Sequence, residues 1–166
     1  MTIDIIKRFL VFIVLCLAQA LVLNHIHLFD CATPLLYVYL VLLFRYNTPR
    51  WIILLWSFFL GLVVDMFSNT PGVAAASMTF LGLIQPYILR LFMLQDSDDS
   101  FEPCTKTMGS AHFFYYVLIL DFFYNIVFFT LETFNFFNWI QWLECIFGST
   151  VITVILIMVI ENIRKK

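Results

Sequence analysis

Charged residues are scarce in this chain. Of its 166 residues only 12% are Asp, Glu, Lys or Arg, whereas 63% are hydrophobic. A soluble domain is about 25% charged and about 45–50% apolar, so a soluble fold of this composition would expose large apolar patches. The composition therefore indicates a protein that lipid solvates. The net charge of −2 and the lack of a basic face give no indication of a nucleic-acid partner.

The chain also has little that could carry chemistry. It has four cysteines and no CxxC pair, so no disulfide framework is predicted. It lacks a glycine-rich phosphate loop, an HExxH and a GxSxG. His25, His27, Asp30 and Cys31 are metal-ligand types, but a short interfacial turn accounts for them. We predict that the protein is not an enzyme and has no metal and no cofactor.

Long apolar runs are abundant instead. A spanning helix needs about 20 mainly apolar residues. Six runs approach this length, at about 9–28, 34–46, 51–67, 72–94, 112–133 and 139–160. The second is short, and it either includes residues 31–33 or spans incompletely. We therefore expect an all-α integral membrane protein with one transmembrane domain over residues 1–166 and a cytoplasmic loop at 95–111.

The basic residues indicate the orientation, because cytoplasmic loops are enriched in Lys and Arg. With the N-terminus inside and six crossings, all nine fall on the cytoplasmic side. They are Lys7, Arg8, Arg45, Arg50, Arg90, Lys106, Arg164, Lys165 and Lys166. Merging or omitting the second run would scatter them across both sides. The pattern predicts six transmembrane helices with both termini in the cytoplasm.

Three carboxylates within the apolar runs are candidates for functional groups at membrane depth, because a charge costs at least about 2.5–3.5 kcal/mol at a helix centre. Asp65 and Glu144 lie towards the outer side. Asp121 lies near the midplane, with Asn125 one turn further on the same face. For Asp65 the alternatives are a turn residue or a packing or partner-binding role, and for Glu144 an interfacial carboxylate. For Asp121 they are an interhelical hydrogen bond, a partner contact, or a ligand or proton role.

Two stripes of small and hydroxyl residues recur at helical spacing, which lets helices approach closely in lipid. They are Ala75, Thr79, Gly82 and Pro86 in the fourth run, and Cys145, Ser149 and Thr153 in the sixth. Pro86 is expected to kink its helix. The stripe in the fourth run predicts either internal helix packing or a groove for a partner's helix, and the stripe in the sixth run predicts close helix packing.

Residues 61–72, Gly-Leu-Val-Val-Asp-Met-Phe-Ser-Asn-Thr-Pro-Gly, are followed by three alanines at 74–76. This stretch resembles the signature region of the rod shape-determining protein MreD family. In that family a Gly-x-x-x-Asp at a helix end leads through a short Ser/Pro/Gly turn into a helix rich in small residues. The matching positions are Gly61, Asp65, Pro71 and Gly72. The later Leu-Glu-Thr-Phe at residues 131–134 resembles a Leu-Glu-x-Phe element of Bacteroidetes-type members.

The resemblance implies a non-enzymatic scaffold in the bacterial cytoplasmic (inner) membrane. Such a subunit belongs to the elongasome, which maintains cell shape through side-wall peptidoglycan synthesis. It binds the single-pass protein MreC and, indirectly, MreB, RodA and its penicillin-binding transpeptidase. The motif residues would shape the turn between the third and fourth helices and an outer-facing groove.

Two other functions stay open. The MreD family is similar in fold to the six-helix substrate-binding subunits of energy-coupling-factor transporters. The chain could thus be an uptake subunit for a vitamin-type small molecule, with Asp65, Asp121 and Asn125 facing a pocket. A small membrane enzyme acting on lipid or isoprenoid substrates is the third alternative, which would depend on Asp65, Asp121 and Glu144.

The predicted orientation can be tested by labelling single cysteines in a variant without the four native ones. In intact cells, a membrane-impermeant maleimide applied from the periplasm should label Asn69→Cys but not Thr48→Cys. Permeabilised cells should label both. Labelling of Thr48→Cys in intact cells would contradict six crossings, because this residue lies between Arg45 and Arg50.

Overall fold

The computed structural model describes residues 11–17, 19, 33–68, 70, 72–93, 103–133 and 139–165. Within these ranges the chain forms helices and connecting turns and no strand, which confirms the all-α class. The first helix, α1, is described at residues 11–17 and 19. The others are α2 (Val38–Leu42), α3 (Arg50–Ser68), α4 (Val73–Phe92), α5 (Thr105–Met108), α6 (Ser110–Thr133) and α7 (Trp139–Lys165).

Four of these helices, α3, α4, α6 and α7, are long and apolar enough to cross a membrane. They correspond to the predicted runs 51–67, 72–94, 112–133 and 139–160. The largest difference is at the end of α7, which continues to Lys165. The protein is therefore a multi-pass membrane protein. Of the predicted loop 95–111, residues 103–111 are described, and they contain α5 and the start of α6.

The predicted helix at 34–46 is wrong in length, because the structure forms a helix only at Val38–Leu42. Residues 33–35 have no regular secondary structure, and 36–37 form a turn. A five-residue helix is only about 7.5 Å long. Pro34 has no N–H, and the first turns are closed by tight i→i+3 bonds, such as Tyr39 N–H to Leu36 O at 3.0 Å. We call residues 33–46 the central segment.

The central segment occupies the interior of the protein. Every residue from 34 to 42 is buried. The Tyr37 ring packs edge-on against Tyr124 of α6, with centroids 5.8 Å apart. On the α1 side, Phe12 packs edge-on against Trp56 of α3 at 5.6 Å. The hydrophobic core therefore surrounds a chain segment that is mostly not helical.

One end of the bundle carries every Lys and Arg of the described residues, and we call it the basic end. These residues are Arg45, Arg50, Arg90, Lys106, Arg164 and Lys165. Arg50 Nη1 donates to Tyr87 Oη at 3.1 Å, and its guanidinium lies 5.1 Å from the centre of that ring. This contact links the start of α3 to the last turns of α4.

Helices α3 and α4 approach so closely that their backbones touch. A Cβ atom on Gly61 would lie 2.5 Å from Ala75 Cα and 2.6 Å from the Ala74 carbonyl oxygen. A Cβ on Gly82 would lie 2.6 Å from Ser57 Oγ. Small residues thus allow the close contact that favours helix association in lipid.

This crossing predicts unequal effects of two alanine substitutions. Gly61→Ala should destabilise the fold by about 1–3 kcal/mol, because the new methyl meets backbone atoms that cannot move without separating the helices. Gly82→Ala, the matched control, should cost less, because it meets mainly the Ser57 side chain. Thermal unfolding in detergent measures both, and equal midpoints would contradict the crossing.

Candidate functional site

Polar side chains are buried at many depths of this apolar protein. The fully or almost fully buried ones are Gln19, Ser57, Asp65, Ser77, Gln85, Asp121, Asn125, Ser149, Thr150, Thr153 and Glu161. In a bilayer no water is present to satisfy polar groups, so each needs a partner inside the protein. Ser57 and Ser77 donate to carbonyls of their own helices. The partners of the others divide them into a set around the central segment, a helix-joining turn, and a pair on α6 with its neighbour Thr150.

The first residues of the central segment donate their backbone N–H groups to hydroxyls of α7. Thr33 N–H donates to Ser149 Oγ, and Leu35 N–H donates to Thr153 Oγ1, both at 3.1 Å. Ser149 and Thr153 are one helical turn apart, so they present two acceptors in a row along the non-helical chain. Two residues of the stripe predicted on α7, Ser149 and Thr153, therefore satisfy backbone groups of the central segment.

Gln19 of α1 makes hydrogen bonds to the next residues of the central segment through both ends of its carboxamide. Its Nε2 donates to Pro34 O at 3.0 Å, and its Oε1 accepts from Leu36 N–H at 3.2 Å. One side chain thus replaces the neighbouring donor and acceptor that a regular helix would have supplied. The sequence signal was a lone Gln in an apolar run, which our sequence analysis did not use.

Gln85 of α4 contacts the other end of the segment through its amide nitrogen. Its Nε2 donates to Phe44 O at 3.2 Å and lies 3.1 Å from Tyr116 Oη of α6. Phe44 is the second residue beyond α2, where the helix has ended and its carbonyl has no helical partner. The segment is therefore held by side chains from α1, α4 and α7.

The contacts with α7 define how deep the irregular backbone lies. Ser149 is about 15 Å along α7 from Trp139, and Glu161 is about 33 Å along it. The hydrocarbon core of a bilayer is about 30 Å thick. The central segment therefore begins near the middle of the bundle and runs to the basic end. Non-helical backbone at such depth is tolerated only where protein buries it.

Glu161, which the sequence analysis did not consider, fastens the basic end. Tyr39 Oη donates to Glu161 Oε2 at 2.6 Å, and the N–H of Thr105 donates to Glu161 Oε1 at 3.3 Å. Arg164 Nη1 lies 3.7 Å from the same carboxylate. A single buried carboxylate thus connects α2, α5 and α7. The spacing of Glu161 and Arg164 on one helix face was the available signal.

Asp65 joins α3 to α4. Helix α4 begins after Gly72, whose φ of +82° suits glycine and which has no side chain to cap the helix. Asp65 supplies the cap from α3, and its two oxygens accept from the N–H groups of Ala74 and Ala75, each at 2.8 Å. Thr70 Oγ1 also donates to Asp65 at 3.0 Å. The positive end of the helix dipole favours a carboxylate there.

Three of the four residues that matched the family motif therefore act in one turn. Gly61 allows the close crossing, Asp65 caps α4, and Gly72 takes the left-handed backbone conformation. Pro71 lies outside the described residues. The structure thus assigns these positions a role in joining two helices.

The stripe predicted on α4 falls at the same helix pair. Ala75 and Gly82 are buried against α3 and take part in packing within the protein. Neither residue is exposed to a partner's helix. Thr79 is half-buried, and its hydroxyl donates to Ala75 O at 2.7 Å. Pro86 is half-buried within α4, which continues past it to Phe92.

The two polar residues predicted near the midplane are brought together. Asp121 and Asn125 are both fully buried on α6, and Asn125 Nδ2 donates to Asp121 Oδ2 at 3.1 Å. Asn125 Nδ2 also reaches Thr150 Oγ1 of α7 at 3.1 Å, so the pair makes an interhelical bond. Glu144, by contrast, is exposed on α7 and belongs to none of these sets.

No group of three or more His, Cys, Asp or Glu side chains in the described part of the chain could hold a metal ion. His25, His27, Asp30 and Cys31, the residues considered for a metal, lie outside that part. No protein-family model, curated protein or solved structure matches this chain. The function must therefore be argued from the sequence resemblance and from this geometry.

The hydrogen bond from Leu35 N–H to Thr153 Oγ1 can be tested with substitutions that conserve the shape of the side chain. Thr153→Val keeps the volume but leaves a buried N–H unsatisfied, which should cost about 1–3 kcal/mol. Thr153→Ser keeps the hydroxyl and should restore most of this stability. Thr79→Val is the matched control, because the Thr79 hydroxyl binds only its own helix. Equal effects of Thr153→Val and Thr79→Val on thermal unfolding would contradict this hydrogen bond.

Proposed function

We propose that this protein is a non-enzymatic scaffold subunit of the cell-elongation machinery, of the MreD type, in the bacterial cytoplasmic membrane. It would bind an MreC-like single-pass protein and so support side-wall peptidoglycan synthesis. The observation that carries the proposal is the α3–α4 turn. Three residues that the resemblance singled out, Gly61, Asp65 and Gly72, have complementary roles in that one turn.

The proposed topology has six crossings with both termini in the cytoplasm. Helices α3, α4, α6 and α7 supply four of them. The other two crossings are proposed to include helix α1 and the central segment. The gathering of all described Lys and Arg at the basic end supports this arrangement, because that end then faces the cytoplasm.

A partner helix would have to bind a lipid-facing surface. The α4 stripe is covered by α3, so the contact with a single-pass protein is proposed on the exposed faces of α3, α6 or α7. Each of these faces presents large apolar side chains, among them Phe59, Tyr115 and Phe147, which are 51%, 58% and 56% exposed. A scaffold that binds one helix would use one such face and leave the others to lipid.

Site-specific photo-crosslinking tests this proposal. A photoreactive amino acid is placed singly at Phe59, Tyr115 and Phe147, in cells that produce the MreC-like protein of the same organism. We expect one position to crosslink to that protein and the other two, as matched controls, to give far less. Depletion of the chain should turn rod-shaped cells round. No crosslink at any position, together with unchanged cell shape on depletion, would contradict the proposal.

A second function has one observation in its favour. Transporter sites are often built from broken helices and polar side chains near the bilayer midplane, and the central segment and Asp121 fit that description. An uptake subunit for a vitamin-type molecule would show a ligand-dependent rise in thermal stability with a vitamin panel. A scaffold would show none and would crosslink as described above.

A further inference from the structure

Asp121 and Asn125 are fully buried, yet each keeps one oxygen without a partner. The structure gives no hydrogen-bond partner, among the described residues, for Asp121 Oδ1 or for Asn125 Oδ1. Most buried polar atoms in proteins have a partner. Two unpartnered oxygens on side chains one helical turn apart therefore need a common explanation.

The two side chains are already joined on one side. Asn125 Nδ2 donates to Asp121 Oδ2 at 3.1 Å, and the same nitrogen lies 3.0 Å from the Asp121 backbone carbonyl and 3.1 Å from Thr150 Oγ1. The two N–H groups of the Asn125 carboxamide thus have hydrogen-bond acceptors, whereas its oxygen has no donor among the described residues. Asp121 Oδ1 and Asn125 Oδ1 are thus two buried acceptors that each lack a donor among the described residues.

Within the described ranges, no Lys or Arg side chain is shown in contact with Asp121. Tyr37 of the central segment and Tyr124 of α6 bond to each other through their hydroxyls, and α7 presents the neutral Thr150 to Asn125. The described basic residues of α4, α5 and α7 are Arg90, Lys106, Arg164 and Lys165, and all lie at the basic end. Asp65 of α3, another buried carboxylate, accepts from Thr70, Ala74 and Ala75 at the start of α4.

We propose that Asp121 and Asn125 form a proton-binding site inside the membrane. Asp121 takes one proton from the aqueous phase onto Oδ1. The resulting O–H group donates a hydrogen bond to Asn125 Oδ1, and the proton stays on Asp121. A carboxylic acid and a carboxamide can form two hydrogen bonds side by side, and one of the two exists here already. One proton then satisfies both oxygens and removes the buried charge.

A proton fits these two atoms better than a metal ion. Hard cations such as Ca²⁺ and Mg²⁺ take six or more oxygen ligands, whereas the free acceptors here are two oxygens on neighbouring turns. The inference goes beyond the proposed scaffold function and does not depend on it. It would hold equally for a transport subunit.

Infrared spectroscopy of the full chain in lipid vesicles tests the site. A protonated carboxylic acid has a carbonyl stretching band that an ionised carboxylate lacks. At neutral pH we expect the wild type to show this band and Asp121→Asn to lose it. Glu144→Gln, which removes an exposed carboxylate, is the matched control and should keep the band. Asn125→Ala should shift it to higher frequency, because the acceptor is gone.

Three results would overturn the proposal. The first is the absence of a protonated-acid band in the wild type. The second is survival of the band in Asp121→Asn. The third is wild-type thermal stability that depends on Na⁺ and loses this dependence in Asp121→Asn, which would make the ligand a metal cation. If Asp121→Asn does not fold, ¹³C labelling of the aspartate carboxyls tests whether the band comes from an aspartate, and the shift in Asn125→Ala tests whether that aspartate is Asp121; absence of either shift would overturn the proposal.

Discussion

The structure depends on one constraint: backbone groups inside a membrane must find partners within the protein. Four long helices meet it with their own hydrogen bonds, but the central segment does not. Its N–H and C=O groups are satisfied by Gln19, Gln85, Ser149 and Thr153, which come from three helices. In lipid each unsatisfied group would cost several kcal/mol. The position of the segment therefore fixes where α1, α4 and α7 can lie around it.

The same principle explains the two carboxylates that hold elements together. Asp65 accepts the N–H groups that α4 leaves free at its start, and Glu161 accepts from Tyr39 and Thr105 at the basic end. Each carboxylate has several donors, which compensates for its removal from water. Asp121 differs, because its described donor is a single carboxamide nitrogen, and this contrast is why a proton is assigned to it alone.

The sequence predicted the features that depend on local chemistry. Run lengths predicted α3, α4, α6 and α7, since twenty apolar residues suffice for a spanning helix. The pairing of Asp121 with Asn125 was predicted from their one-turn spacing. The central segment was not predictable in this way. Its partners are 17, 116 and 118 residues distant, and a short apolar run looks the same whether it is a helix or a buried irregular chain.

The stripe on α4 shows a further limit. Small residues at helical spacing predict a close neighbour but do not identify it, and Ala75 and Gly82 face α3 of the same chain. The stripe on α7 was understood as packing, whereas Ser149 and Thr153 accept hydrogen bonds from a backbone that the pattern could not reveal. In both cases the residue types indicated a close neighbour. The sequence did not show which segment of the chain packs against the stripe.

The most direct test of this account is residue-resolved amide hydrogen exchange in lipid nanodiscs. If side chains satisfy the central segment, the N–H groups of Leu35 and Leu36 should exchange as slowly as those in the middle of α6, although neither residue is in a helix. Exchange as fast as that of Asn47 in the exposed turn would contradict it, because these amides would then be open to water.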